Sequence, residues 1–158
     1  MVLLRRFVNY LTEPVLETGG EIYQYAGDEV VITWRMDAGL REAACIRCFF
    51  DIRAAIRRES ARYEHDFGVV PAFRGGLHGG PVTAGELGDL RRQIVFVGDI
   101  LNTAARLEEY AKRTGHDLVV SGAVLGKISL PPGVRATSCG ELALRGKEAT
   151  VAAYGLAL

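Results

Sequence analysis

The stretch EIYQYAGDEVVITW, residues 21–34, constrains the fold most, because two runs rich in aromatic and β-branched residues flank Gly27-Asp28-Glu29. That pattern predicts a β-hairpin with an acidic turn at its tip. Upstream, Leu3, Leu4, Phe7, Val8, Leu11, Val15 and Leu16 recur at helical intervals until Gly19-Gly20 stops the helix. Pro14 is expected to bend or shorten its last turn. From Gly39 to Tyr63 the spacing of Ala43, Ile46, Phe49, Phe50, Ile52 and Ile56 predicts one long amphipathic helix.

The second half continues the alternation. VVPAFRGGLHGGPVTAGEL predicts a strand, a glycine-rich turn and a short returning strand. Gln93 to Val97 predicts another strand, followed by a helix from Ile100 to Gly115. A strand is expected at 117–120, and Ser121 is expected to cap a helix carrying Val124, Leu125 and Ile128. Two last strands are expected at 136–144 and 150–156, joined through Arg145-Gly146-Lys147. Helices and strands in this order, without a repeated βα unit, predict an α+β sandwich rather than a doubly wound sheet. At 158 residues, with no internal repeat or linker, the chain is expected to form a single domain over 1–158.

Composition narrows the function classes. Lys and Arg number 19 against 19 Asp and Glu, so a general nucleic-acid binder is not expected, although a local basic site could hold a phosphorylated small molecule. The 3 cysteines give no disulfide framework and fit a reducing, cytoplasmic compartment. Cys45 and Cys48 form a CxxC pair inside a helical pattern, which favours a structural role. No stretch approaches the roughly 20 apolar residues that span a bilayer, so no direct membrane contact is expected from this segment.

Two constellations could carry chemistry. A carboxylate at the hairpin tip, Asp28, faces solvent and could bind Mg²⁺ through oxygen, but an Asp in a turn is also ordinary hairpin chemistry. In IVFVGDILNTAARLE, Asn102 and Arg106 lie four residues apart and share a helical face. Asn102 offers an amide donor and Arg106 a fixed fork suited to phosphate oxygens; the same residues also fit a polar stripe on an Asp-capped helix. Asp99 reads as a turn and helix-start residue, His78 as a satisfied residue in a glycine-rich turn, and His65 and His116 as surface residues.

Four blocks, GGEIYQYAGDEVVITW, FRGGLHGGPVTAGELG, RQIVFVGDILNTAARLE and GELALRGKEATVAAYGL, resemble the class III adenylate/guanylate cyclase catalytic domain in order and spacing. The resemblance covers nearly the whole chain. It implies a ferredoxin-like cyclase fold with an antiparallel-rich sheet packed against helices. It also implies a head-to-tail homodimer with composite sites, in which two aspartates hold two Mg²⁺ or Mn²⁺ ions. Asp28 matches the second metal aspartate, Asn102 the residue that orients the ribose, and Arg106 the arginine that stabilises the pentacoordinate phosphorus. Lys147 resembles the lysine near the terminal phosphates, with Arg145 as a substitute, and Gln24 and Val95 fall at the base-reading positions.

The reaction so implied is attack of the ribose 3′-oxygen on the α-phosphorus of ATP, giving cyclic AMP and pyrophosphate; GTP is the competing substrate. The family pattern also contains an earlier strand with an Asp-Ile/Val-x-Gly-Phe-Thr motif. The present sequence holds no candidate for it, since Asp51-Ile52 falls inside the long helix. The domain is therefore expected to be N-terminally incomplete, without its first strand and first metal aspartate. The alternative reading is a catalytically silent cyclase-homology domain acting in dimerisation or regulation. A ferredoxin-like nucleotide-binding or phosphotransfer domain outside the cyclases is the third.

Overall fold

The computed structural model describes residues 2–80, 90–144, 146 and 148–158, and within 90–97 the backbone. The chain forms two compact units, Met1–Phe73 and Arg74–Leu158.

In the first unit α1 (Val2–Glu17) leads into the antiparallel hairpin of β1 (Glu21–Ala26) and β2 (Glu29–Thr33). Helix α1 runs through Pro14 and stops at Gly19, whose φ of +77° is a left-handed conformation that glycine adopts without steric cost. The hairpin closes through Gly27 and Asp28, with φ +62° at Gly27, the arrangement of a type II′ turn. Trp34 folds back over the helix end, where its indole Nε1 donates to Thr18 Oγ1 at 3.3 Å. A Cβ on Gly20 would lie 2.7 Å from that nitrogen, so only glycine leaves room for the ring.

The expected helix over 39–63 is divided. It becomes α2 (Met36–Leu40), a 3₁₀ turn at Arg41–Ala43, α3 (Ala44–Arg58) and α4 (Ser60–Phe67). The first break lies at Glu42 and Ala43, with φ of 50° and 54°. Left-handed backbone at non-glycine residues costs about 1–3 kcal/mol each and interrupts the helical ladder, although the apolar spacing continues across it. Helix α1 packs on α3, and Leu11, Val15, Cys48, Ile52, Ile56 and Tyr63 form the core.

The second unit holds β3 (Gly75–Leu77), α5 (Leu90–Thr114), β4 (Leu118–Ser121), the short α6 (Gly122–Leu125), β5 (Arg135–Ala143) and β6 (Thr150–Ala157). Its sheet order is β3-β4-β6-β5, with β3 parallel to β4 and the other pairs antiparallel. Helix α5 packs on β3 and β4 around Leu107, Ala111, Val119 and Ala153. Arg74 fastens the start of β3 by donating to Asp117 Oδ1 at 2.9 Å and to the Gly115 carbonyl at 3.1 Å.

Three expectations change here. The strand expected at 93–97 is helical, because α5 begins at Leu90. A short apolar run such as IVFV fits either state by pattern, and a helix satisfies its own backbone where a strand needs a neighbour. Asp99 consequently lies within the helix rather than at its start. Ser121 does occupy the N-cap position of α6, but its hydroxyl makes no capping bond. The returning strand expected after the glycine-rich turn falls at 81–89, outside the described residues.

Candidate nucleotide-binding site

Asp28 and Gln24 belong to the first unit. Gln24 lies exposed on β1, opposite Val31, and Asp28 is exposed at the tip of the hairpin, as its place between Gly27 and Glu29 predicted.

Asn102 and Arg106 belong to the second unit and lie on α5. The same helix buries Thr103, Leu107 and Ala111, a row at four-residue spacing, which turns Asn102 outward and leaves Arg106 half-buried. The Arg106 guanidinium is already engaged. It donates through Nη1 to Glu109 Oε2 at 3.0 Å and through Nη2 to the Ala143 carbonyl at 3.4 Å. Glu109 was legible as an i,i+3 partner but was not singled out from the sequence; the carbonyl on β5 leaves no sequence signal. Val95 lies in the first turns of α5, and Arg145 and Lys147 fall outside the described residues, on either side of Gly146.

His78, just after β3, accepts or donates at Nδ1 with Ser121 Oγ at 2.8 Å. Ser121 is fully buried, so this pair satisfies a polar group in the interior and holds β3 against the end of β4. Burial pushes the His78 imidazole below the ordinary histidine value. A lowered folded-state pKa means that the unfolded chain binds the proton more tightly. The contribution is fully present above about pH 6.5 and is lost as pH falls below it toward the folded-state value. The urea midpoint should therefore fall more steeply between pH 7.5 and 5.5 in the wild type than in His78→Asn; equal slopes would remove this residue from the acid response.

The cysteine pair of α3 is closed off. Burial raises the Cys45 and Cys48 thiols to about 11, which keeps both protonated and unreactive, in line with a structural role.

Mg²⁺ demands near-octahedral oxygen coordination. Asp28 and the adjacent Glu29 offer carboxylates on an exposed turn, and among the described residues no group of three His, Cys, Asp or Glu could hold a metal ion. These residues do not by themselves fit a two-ion centre.

No family model matches the chain. Adenylate cyclase 2 of Rhizobium meliloti (strain 1021) is 39% identical over 146 residues, which is 92% of this chain and 40% of the relative. Adenylate cyclase 1 of the same organism is 31% identical over 133 residues, 80% of this chain and 20% of the relative. The chain thus spans less than half the length of either protein. Among solved structures, the adenylyl cyclase CyaB from P. aeruginosa superposes with a TM-score of 0.66 at 18% identity, over 99% of this chain and 81% of that one. The adenylate/guanylate cyclase/hydrolase from Silicibacter pomeroyi gives 0.63 at 20% identity, over 98% and 85%.

Proposed function

We propose, from the premise that this chain has the class III adenylate/guanylate cyclase fold over most of its length, that it is a catalytically silent cyclase-homology domain acting in dimerisation or regulation. Fold and sequence similarity together support membership of that family. The observation that carries the silent reading is the state of Arg106. Arg106, the guanidinium that the resemblance assigns to phosphate, is held by Glu109 and by a backbone carbonyl. A nucleotide has to displace both contacts before Arg106 can reach it.

In this reading ATP, with GTP as the competitor, reaches Asn102 and Arg106 only on displacing those two contacts, and the resemblance alone assigns Gln24 and Val95 to the base. Arg145 and Lys147 contribute positive charge toward the terminal phosphates. Asp28 offers a single carboxylate to a Mg²⁺ or Mn²⁺ ion that accompanies the triphosphate. The domain works as a homodimer in the cytoplasm; no helix among the described residues is long and apolar enough to cross a membrane.

The second reading is turnover of ATP to cyclic AMP. It is favoured by the 39% identity to a protein named adenylate cyclase and by the shared helical face of Asn102 and Arg106. Turnover requires Arg106 to leave Glu109 and meet the charge that develops on phosphorus, while Asn102 fixes the sugar.

One experiment separates the two. The purified chain is incubated with ATP or GTP and Mn²⁺, cyclic nucleotide is quantified, and triphosphate affinity is measured in parallel. The silent reading expects no product above blank. It also expects Glu109→Gln to bind ATP about fivefold more tightly, since an exposed ion pair is worth up to about 1 kcal/mol. Cyclic AMP made by the wild type and abolished by Arg106→Ala would replace it with the second reading.

A further inference from the structure

A thiol, an imidazole and a hydroxyl meet in the second unit, on groups to which nucleotide binding gives no role. Cys139 Sγ lies 3.8 Å from His116 Nε2, and His116 Nδ1 lies 2.7 Å from Thr114 Oγ1. The Thr114 hydroxyl has one proton, which it donates to the Tyr110 carbonyl at 2.6 Å. Its oxygen therefore accepts from His116, which places the imidazole proton on Nδ1 and leaves Nε2 bare toward the thiol. A base oriented by a third group and aimed at a sulfur is the arrangement that activates a cysteine nucleophile.

Three further features build this arrangement into the fold. The register of β5 and β6 shifts between Ser138 and Gly140, so Cys139 is the extra, unpaired residue of a β-bulge, and such bulges re-aim side chains. The Tyr110 ring stacks on the imidazole at 5.9 Å between centroids, with 25° between the planes. Gly155 on β6 supplies the slot: a Cβ there would lie 2.8 Å from His116 Nε2 and 3.1 Å from Cγ, although its φ does not require glycine. The carbonyl of Thr137, 3.7 Å from Sγ, is a second acceptor for the resting thiol, which also shares a side-chain hydrogen bond with Tyr110. Cys139 is only partly buried, so a small reagent reaches it.

We propose that Cys139 is a site of covalent modification by low-molecular-weight disulfides, with His116 as its general base and Thr114 as the positioning residue. The thiol proton passes to His116 Nε2 as the sulfur attacks one sulfur of the incoming disulfide. A new S–S bond forms between Cys139 and that sulfur, and the old S–S bond breaks. The departing thiolate takes the proton back from His116 and leaves as a free thiol. Cys139 is oxidised to a mixed disulfide while one half of the reagent is reduced, so no other oxidant is needed.

The test is mass spectrometry of the intact chain incubated with oxidised glutathione at pH 7.5. A single glutathione adduct should form at Cys139, at least about a hundredfold faster than in His116→Asn, the low end of general-base assistance. Cys45 and Cys48 serve as internal controls and stay unmodified. Thr114→Val should slow the reaction while Thr114→Ser restores it, which a purely structural threonine would not do. In urea, where the constellation is lost, wild type and His116→Asn should react at the same rate, which separates the effect from misfolding of a variant. Equal rates in the folded proteins, a rate difference that persists in urea, or first modification at Cys45 or Cys48 would each overturn the assignment.

Discussion

Gly76→Ala should destabilise the second unit by about 3 kcal/mol or more, the upper range for forcing atoms into a packed interior. β3 passes directly beneath α5, and a Cβ at Gly76 would collide with the Ala104 carbonyl and the Glu108 amide and lie 2.9 Å from Glu108 Cα. All three are backbone atoms of one helix, so no side chain can rotate away. Relief requires lifting α5 off β3, which pulls apart the layer that also holds Arg106 and the His78–Ser121 contact. A urea titration followed by circular dichroism measures the loss. A variant within about 0.5 kcal/mol of wild type, the usual range for exposed sites, would show that β3 does not run under the helix in solution.

Leu107→Ala should cost about 3 kcal/mol, within the 2–5 kcal/mol typical of leucine truncation in a core. Leu107 is completely buried and packs with Ala111, Val119 and Ala153, already small or branched neighbours that cannot close over the missing atoms. It stands next to Arg106, so it also fixes which face of α5 turns outward. The loss should appear in the denaturation midpoint without a change in slope. A cost below about 1 kcal/mol would mean that the site collapses around the gap, and the outward face of the helix would then shift with it.

The hairpin was readable because two independent signals agree at it: runs rich in aromatic and β-branched residues, and a glycine at the one turn position that needs positive φ. The final pair of strands was readable for the same reason, and the structure places them at 135–143 and 150–157. The division of the long helix was not, since Glu42 and Ala43 carry no residue-type signal for left-handed backbone. Residues 93–97 were misread as a strand because their apolar run carries no period long enough to exclude a helix. Of the candidate site, the Asn102/Arg106 face followed from spacing alone. What holds Arg106 depends on Ala143, brought there by the fold, and so lay beyond sequence reasoning. The thiol–imidazole pair was hidden for a related cause: His116 read as a surface residue, and only a bulge in β5 turns Cys139 toward it.

The sheet order also sets a sequence of assembly. β5 and β6 are neighbours along the chain and close over a short turn, so their ladder forms at small entropic cost. β4 joins β6 next, across a longer span. Gly75 meets Leu118 only after the chain containing all of α5 has been looped between them, and contacts so distant in sequence are the slow ones in folding. β3 is therefore expected to dock last: it holds its place through three residues and, among the described residues, pairs with β4 alone. In hydrogen-exchange terms its amides open first, and the buried serine beside His78 meets water long before the centre of the sheet does.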